Sequence, residues 1–167
     1  MPILPLRWLG RRGPRDLHAY RKDLQDRTNK IDLELAELVD LVDALRRHAT
    51  VLDEASERLD EGEERLDDAA AELRELVAPE ELHALHAEYE ANLERALRGV
   101  ATAQRGCGVT RQRHRPPADA EPLLYWKRGY LNMLHAQLRM RELVASLLAW
   151  EPGQPAEASV AARVRRA

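Results

Sequence analysis

Hydrophobic positions recur every seven residues through the first half of the chain. From Leu17 the steps fall on Leu24, Ile31, Leu38, Leu45, Leu52, Leu59, Leu66 and Leu73, and none lands on a polar residue. No proline lies between Pro14 and Pro79, and Gly62 is the only glycine in that stretch. A sustained seven-residue apolar repeat is the pattern of helices wound against a partner. Pro14 suits the first turn of a helix, where its missing N–H costs nothing. One long helix is therefore predicted over about 14–77. At 1.5 Å per residue, about 64 residues would reach roughly 96 Å, which predicts an elongated molecule. A break near His48–Thr50 is weighed and set aside, because no Gly, Pro or Asn marks it.

The apolar face is wide between Ile31 and Leu52, where Leu33, Leu35, Leu38, Val39, Leu41, Val42 and Leu45 cover more than a narrow seam. A stripe that broad packs against more than one neighbour. Between Leu52 and Leu73 it narrows, with Ala55, Gly62 and Ala69 three residues on from leucines, small enough to admit a second backbone. Pro79 biases Ala78 away from helix. Glu80 and Glu81 then fall in a first turn, where the helix dipole favours negative charge. The spacing predicts a tight corner and a returning helix over about 79–105, the alternative being a proline kink in a continuing helix. Its residues Leu82, His86, Tyr89, Leu93, Ala96, Val100 and Ala103 step by four and three, and Gly106-Cys107-Gly108 ends it. A loop follows to about Ala118. Asp119 caps a third helix over about 119–150, with Pro122 in its first turn. Its apolar positions include Leu124, Leu131, Leu134, Leu138, Leu147 and Leu148, and Tyr125, Trp126, Tyr130, Met133, Met140 and Trp150 widen the buried surface.

The predicted fold class is all-α: an elongated helical bundle or coiled coil, one long helix with two shorter antiparallel ones. Residues 1–13 read as a flexible basic arm, 14–150 as a single helical domain, and 151–167 as a frayed tail. Composition agrees. Phe is absent and aromatics are 4%, so Leu, Ala and Val must build the core, and a third of the residues are charged. The net charge of -3 hides a strong polarity. Residues 1–30 carry eight basic and three acidic groups, 31–94 carry five and twenty-one, and 95–167 carry thirteen and five. A solvated acidic face lying beside a basic C-terminal part accounts for this without nucleic acid.

Candidate chemistry is sparse. Glu80-x-x-His83 has the spacing of carboxylate-bridged di-metal bundles, but such sites need two of these motifs and the chain has one. His83, His86 and Glu90 share a helical side, yet the set is incomplete for a metal. Cys107 is the only cysteine, so there is no internal disulfide. It lies near Arg105 and Arg111, where positive charge would favour the thiolate, but no histidine is placed to act as its base. Arg105, Arg111, Arg113 and Arg115 form an acid-free run which, with Arg7, Arg11, Arg12 and Arg15, could bind phosphate by counterion release. The apolar run at the start is interrupted by Arg7 and is too short for a secretory core or a bilayer span. The expected location is cytoplasmic.

The corner Leu76-Val77-Ala78-Pro79-Glu80-Glu81-Leu82-His83-Ala84-Leu85-His86-Ala87-Glu88-Tyr89 resembles a pattern in small bacterial helical proteins, in which a Pro-Glu-x-Leu helix start is followed by Leu-His. The resemblance covers about residues 76–105. It implies a helical corner and a bacterial source, and no activity.

These readings predict a non-catalytic structural or interaction module with no cofactor and no metal. The apolar stripe of Ile31, Leu35, Leu38, Leu41, Val42, Leu45 and Leu52 is the expected interface, closed by a homodimer or other homo-oligomer. The rival is a module that binds anionic surfaces, nucleic acid or anionic lipid, through the arginine arm and the loop 105–115.

Overall fold

The computed structural model describes residues 14–111 and 121–154. The basic arm at 1–13, the Asp119 cap and the tail beyond residue 154 lie outside the described residues. Four helices carry the structure: α1 (Pro14–Arg46), α2 (Leu52–Arg74), α3 (His83–Arg111) and α4 (Pro122–Ala149), with one 3-10 turn, Glu80–Leu82, ahead of α3. Each helix packs mainly on two others, α1 and α3 each against both α2 and α4. The four therefore close a ring in which α2 and α4 stand on a diagonal. Neighbours run antiparallel: Glu34 of α1 meets Arg65 of α2, whereas Glu37, further along α1, meets Arg58.

The single long helix is corrected to two. α1 ends at Arg46 and α2 begins at Leu52. The end of α1 is a Schellman cap: the Ala49 N–H donates to the Ala44 carbonyl at 2.8 Å and the His48 N–H to the Leu45 carbonyl at 3.0 Å. That cap needs a left-handed residue between the two, and His48 supplies it at φ 55°. Glycine usually fills this place, so the break left no mark in the composition. Arg46 is anchored at the same end, its guanidinium 4.9 Å over the Tyr130 ring. α2 restarts with Asp53 and Glu54 in its first turn, where the helix dipole favours them.

The ladder survives the correction because both halves face one core. Leu24, Ile31, Leu38, Leu45, Leu59, Leu66 and Leu73 are buried, and Leu17 and Leu52 half-buried. The expected corner at Pro79 is present. The Leu82 N–H donates to the Pro79 carbonyl at 2.9 Å, and His83 Nε2 lies 2.8 Å from the Ala78 carbonyl oxygen. The four-and-three series of α3 is buried throughout, and Cys107 is its next member. Gly106-Cys107-Gly108 does not end the helix, which runs on to Arg111. Gly106 is there for space: a Cβ on it would sit 2.7 Å from Trp126 Nε1.

α3 and α4 make the closest approach of the bundle. A Cβ on Gly129 would lie 2.8 Å from the Gly99 carbonyl oxygen, and one on Gly99 would lie 3.0 Å from the Gly129 carbonyl oxygen. Ala96, Ala103 and Ala136 are fully buried. Gly108, by contrast, faces open space. Gly129→Ala should therefore destabilise: overpacking costs about 1–3 kcal/mol, against the ~1 kcal/mol that alanine gains in helix propensity. Gly108→Ala should keep that gain whole. The expected order of urea midpoints is Gly108→Ala, wild type, Gly129→Ala; equal midpoints for the two variants would contradict the close approach.

The break makes a second prediction. A left-handed L-residue costs roughly 1–2 kcal/mol, and a β-branched one is worse placed still. His48→Val should melt below His48→Gly, even though both lose the edge contact of the His48 ring with Trp126 at 6.3 Å.

Candidate functional site

The expected interface is spent inside the chain. Ile31, Leu35, Leu38, Val42 and Leu45 are between 0% and 3% exposed, and Leu41 and Leu52 are half-buried. Partners for the stripe come from α2, α3 and α4. The apolar surface that called for a second copy is covered without one, and the stripe is corrected from interface to core.

The arginine run is divided. Arg105 is exposed on α3 itself, not on a loop. Arg111 donates twice to Asp53 of α2, at 3.1 and 2.7 Å. Arg113 and Arg115, like Arg7, Arg11 and Arg12 of the arm, lie outside the described residues. Of the four candidate anion ligands, one is thus already engaged with a carboxylate.

His83, His86 and Glu90 do not converge. His83 is exposed, turned to the Ala78 carbonyl. His86 is buried, with Nδ1 2.9 Å from the Tyr20 hydroxyl of α1. Its Nε2 makes no hydrogen bond, and Glu90 Oε1 stands 3.5 Å away. Burial lowers the His86 pKa; the Glu90 carboxylate pulls it up and His83 pushes it further down. Burial, then the Glu90 charge, raises the Tyr20 pKa far above the usual phenol range, so Tyr20 keeps its hydroxyl proton beside Nδ1. Sequence reasoning missed this pairing because Tyr20 and His86 are 66 residues apart. Cys107 is fully buried, and burial pushes its thiol up although Trp126 and Arg111 pull the other way. That opposes the activated thiolate which the neighbouring arginines suggested.

Among the described residues, cavities open between the helices. One of about 340 Å³ lies at the end of the bundle, bounded by Leu45, Leu52 and Trp126. Another, of about 250 Å³, lies between α1 and α4, with Tyr89 below and Val144 and Leu148 on its wall. At its edge Arg141 donates to both oxygens of Asp32, at 2.7 and 3.0 Å, so the charges there satisfy each other. His48, Thr50, Thr110 and Glu121 also line the first cavity, but the Thr110 hydroxyl donates to the Gly106 carbonyl at 2.9 Å, and no hydrogen bond among the described residues joins either hydroxyl to His48 or Glu121.

The outward face of α4 is different. Leu124, Leu131 and Leu138 were expected in the core, and the structure corrects this: they are 37%, 48% and 49% exposed. Seven residues is nearly two turns, so the three form one ridge with a slow drift, about 21 Å long. The core face of α4 is instead Trp126, Gly129, Met133, Ala136, Met140, Leu143 and Leu147, stepping three and four. Lys127, Arg128 and His135 are exposed beside the ridge. Neither Lys127 nor Arg128 forms a salt bridge with a described residue. Elsewhere among the described residues the one exposed leucine is Leu33 of α1. Scattered single residues need no explanation, whereas these three are aligned on one helix face. No described helix is long and apolar enough to cross a membrane.

The buried histidine sets a pH dependence. A folded pKa below the unfolded value of about 6.5 means that the native state binds fewer protons. Stability from neutral His86 is therefore present above that pH and lost as pH falls through it toward the folded pKa. Between about pH 7.5 and pH 5 the wild type should lose more stability than His86→Gln, measured by urea unfolding; parallel pH profiles would contradict the assignment. No protein-family model, no curated protein and no solved structure matches this chain.

Proposed function

We propose that this chain is a non-catalytic protein-interaction module: a closed four-helix bundle that offers the outward face of α4 to a helical partner. One observation carries the reading, the line of half-exposed leucines at 124, 131 and 138 on a helix whose core face is complete without them. Seven-residue spacing is the spacing at which a second helix can pack along the first. The buried, protonated Cys107 and the enclosed His86 fit a scaffold better than a reaction centre.

Contact through this face is separable from folding, because exposed side chains contribute little to the bundle. Hydroxyl-radical footprinting of the protein in extract of its source cells, against the purified protein, tests it. Labelling of Leu131 and Leu138 should fall several-fold in the extract, while Leu33 of α1 should label equally in both. Equal labelling of the α4 leucines under both conditions would remove the reading.

A further inference from the structure

The ridge states what kind of helix would cover it. From Leu124 to Leu138 α4 has no acidic residue, and its exposed flanks are Lys127, Arg128 and His135. Further along, Arg139 is held by Glu88 and Glu142, and Arg141 by Asp32. Over the whole of α4, four basic residues stand against the single acid Glu142. Resting on the reading of α4 as a contact face, we propose that its occupant is an acidic amphipathic helix of another protein, with apolar residues at heptad spacing and Asp or Glu beside them.

The alternatives on the molecule fit less well. A second copy pairing α4 with α4 antiparallel about a two-fold axis would bring each flank against its own counterpart. Lys127 and Arg128 would then find no carboxylate between Leu124 and Leu138 of the other copy, so the pair would bring basic flanks together without a counter-charge. A second copy offering α2 would supply the charge: that helix carries ten carboxylates and three arginines. It would not supply the apolar half, because the exposed residues of α2 are charged except Ala71. An anionic membrane would meet basic flanks too. Surface-lying helices, however, sink a broad apolar face with large side chains into the interface. Here the apolar strip is a single row on a helix whose other faces are held by α1 and α3. A helix with leucines opposite the ridge and carboxylates opposite Lys127 and Arg128 satisfies both features, and charge complementarity sets the choice of partner.

The test uses the full chain and two fluorescent 21-residue peptides, each with leucines at the first and fourth places of every heptad. One has glutamate at the flanking places and the other lysine. Vesicles of phosphatidylserine and phosphatidylcholine form a third arm. The glutamate peptide should bind at least tenfold tighter than the lysine peptide, and rising salt should weaken it. Lys127→Glu with Arg128→Glu should reverse the preference between peptides. Leu131→Ala with Leu138→Ala should weaken binding at least tenfold while keeping a helical spectrum and a cooperative melt well above the assay temperature, which separates loss of contact from loss of fold. Equal binding of both peptides, binding of neither, vesicle binding in preference to peptide, or concentration-dependent self-assembly lost in the leucine variant would each overturn the proposal. Footprint protection of Leu131 and Leu138 in extract, together with preference for the lysine peptide, would overturn the partner's chemistry and leave the contact face standing.

Discussion

The approach of α3 to α4 at Gly99 and Gly129 fixes more of this molecule than any single leucine contact. Each glycine stands against the other's carbonyl, at a distance no side chain could fill. That contact sets the rotation of α4 about its own axis. With Gly129 turned inward, Met133, Ala136, Met140 and Leu143 must follow into the core, and the leucines at 124, 131 and 138 must turn out. Small residues at a helix interface exchange side-chain burial for backbone proximity, and the methionines fill the irregular space that remains. The exposed ridge is therefore a geometric consequence of the seam on the far side of the same helix.

Polar contacts select among arrangements that the core alone would tolerate. Asp32 accepts two hydrogen bonds from Arg141, and Gln137 donates to both the Asp32 carbonyl and its side chain, so α1 and α4 are locked in one register. Arg65 on Glu34, Arg111 on Asp53 and Arg139 on Glu88 do the same between the other neighbouring pairs. Exposed pairs of this kind contribute about 0–1 kcal/mol each, so they steer assembly more than they stabilise it. They also explain the charge polarity of the chain. The acidic α2 lies between α1 and α3, which lend it arginine or lysine partners, and its remaining carboxylates face water. Crowding shows at Glu63, whose pKa is raised by burial first and then by Asp67 and Asp60.

The legible parts of the fold are those in which leucine marks the core. The seven-residue ladder marked one row of the core of α1 and α2, while Tyr20, Val39, Ala55 and Ala70 fill the space beside it, and the four-and-three series of α3 was read from Leu82 to Ala103 as the structure places it. Two features escaped for physical reasons. The break at residues 47–51 is made by a histidine where glycine is usual, and the ladder steps across it because seven residues happen to separate Leu45 from Leu52. The rotation of α4 escaped because leucine content was allowed to stand for burial. Its core row was present in the sequence as an unbroken alternation of threes and fours from Trp126 to Trp150, but glycine, alanine and methionine occupy it. A row chosen by spacing instead of residue size would have set Leu124, Leu131 and Leu138 apart. The Tyr20–His86 pair had no local signal, since nothing in either neighbourhood points to the other.

The contrast between α2 and α4 bears on what the ridge is for. Both helices stand on corners of the same ring, and both have an outward face that the bundle does not need. On α2 that face is filled with carboxylates and arginines, so this chain does supply charge where water is the neighbour. On α4 the corresponding row is leucine at each of three consecutive heptad positions. Leucines left 37–49% exposed gain only part of the roughly 1.5–3 kcal/mol that full burial gives each, and the rest requires a covering surface. They also raise the tendency to associate. A row that extends over two heptads and is bordered by Lys127 and Arg128 is the feature on which the proposed contact with a partner helix rests.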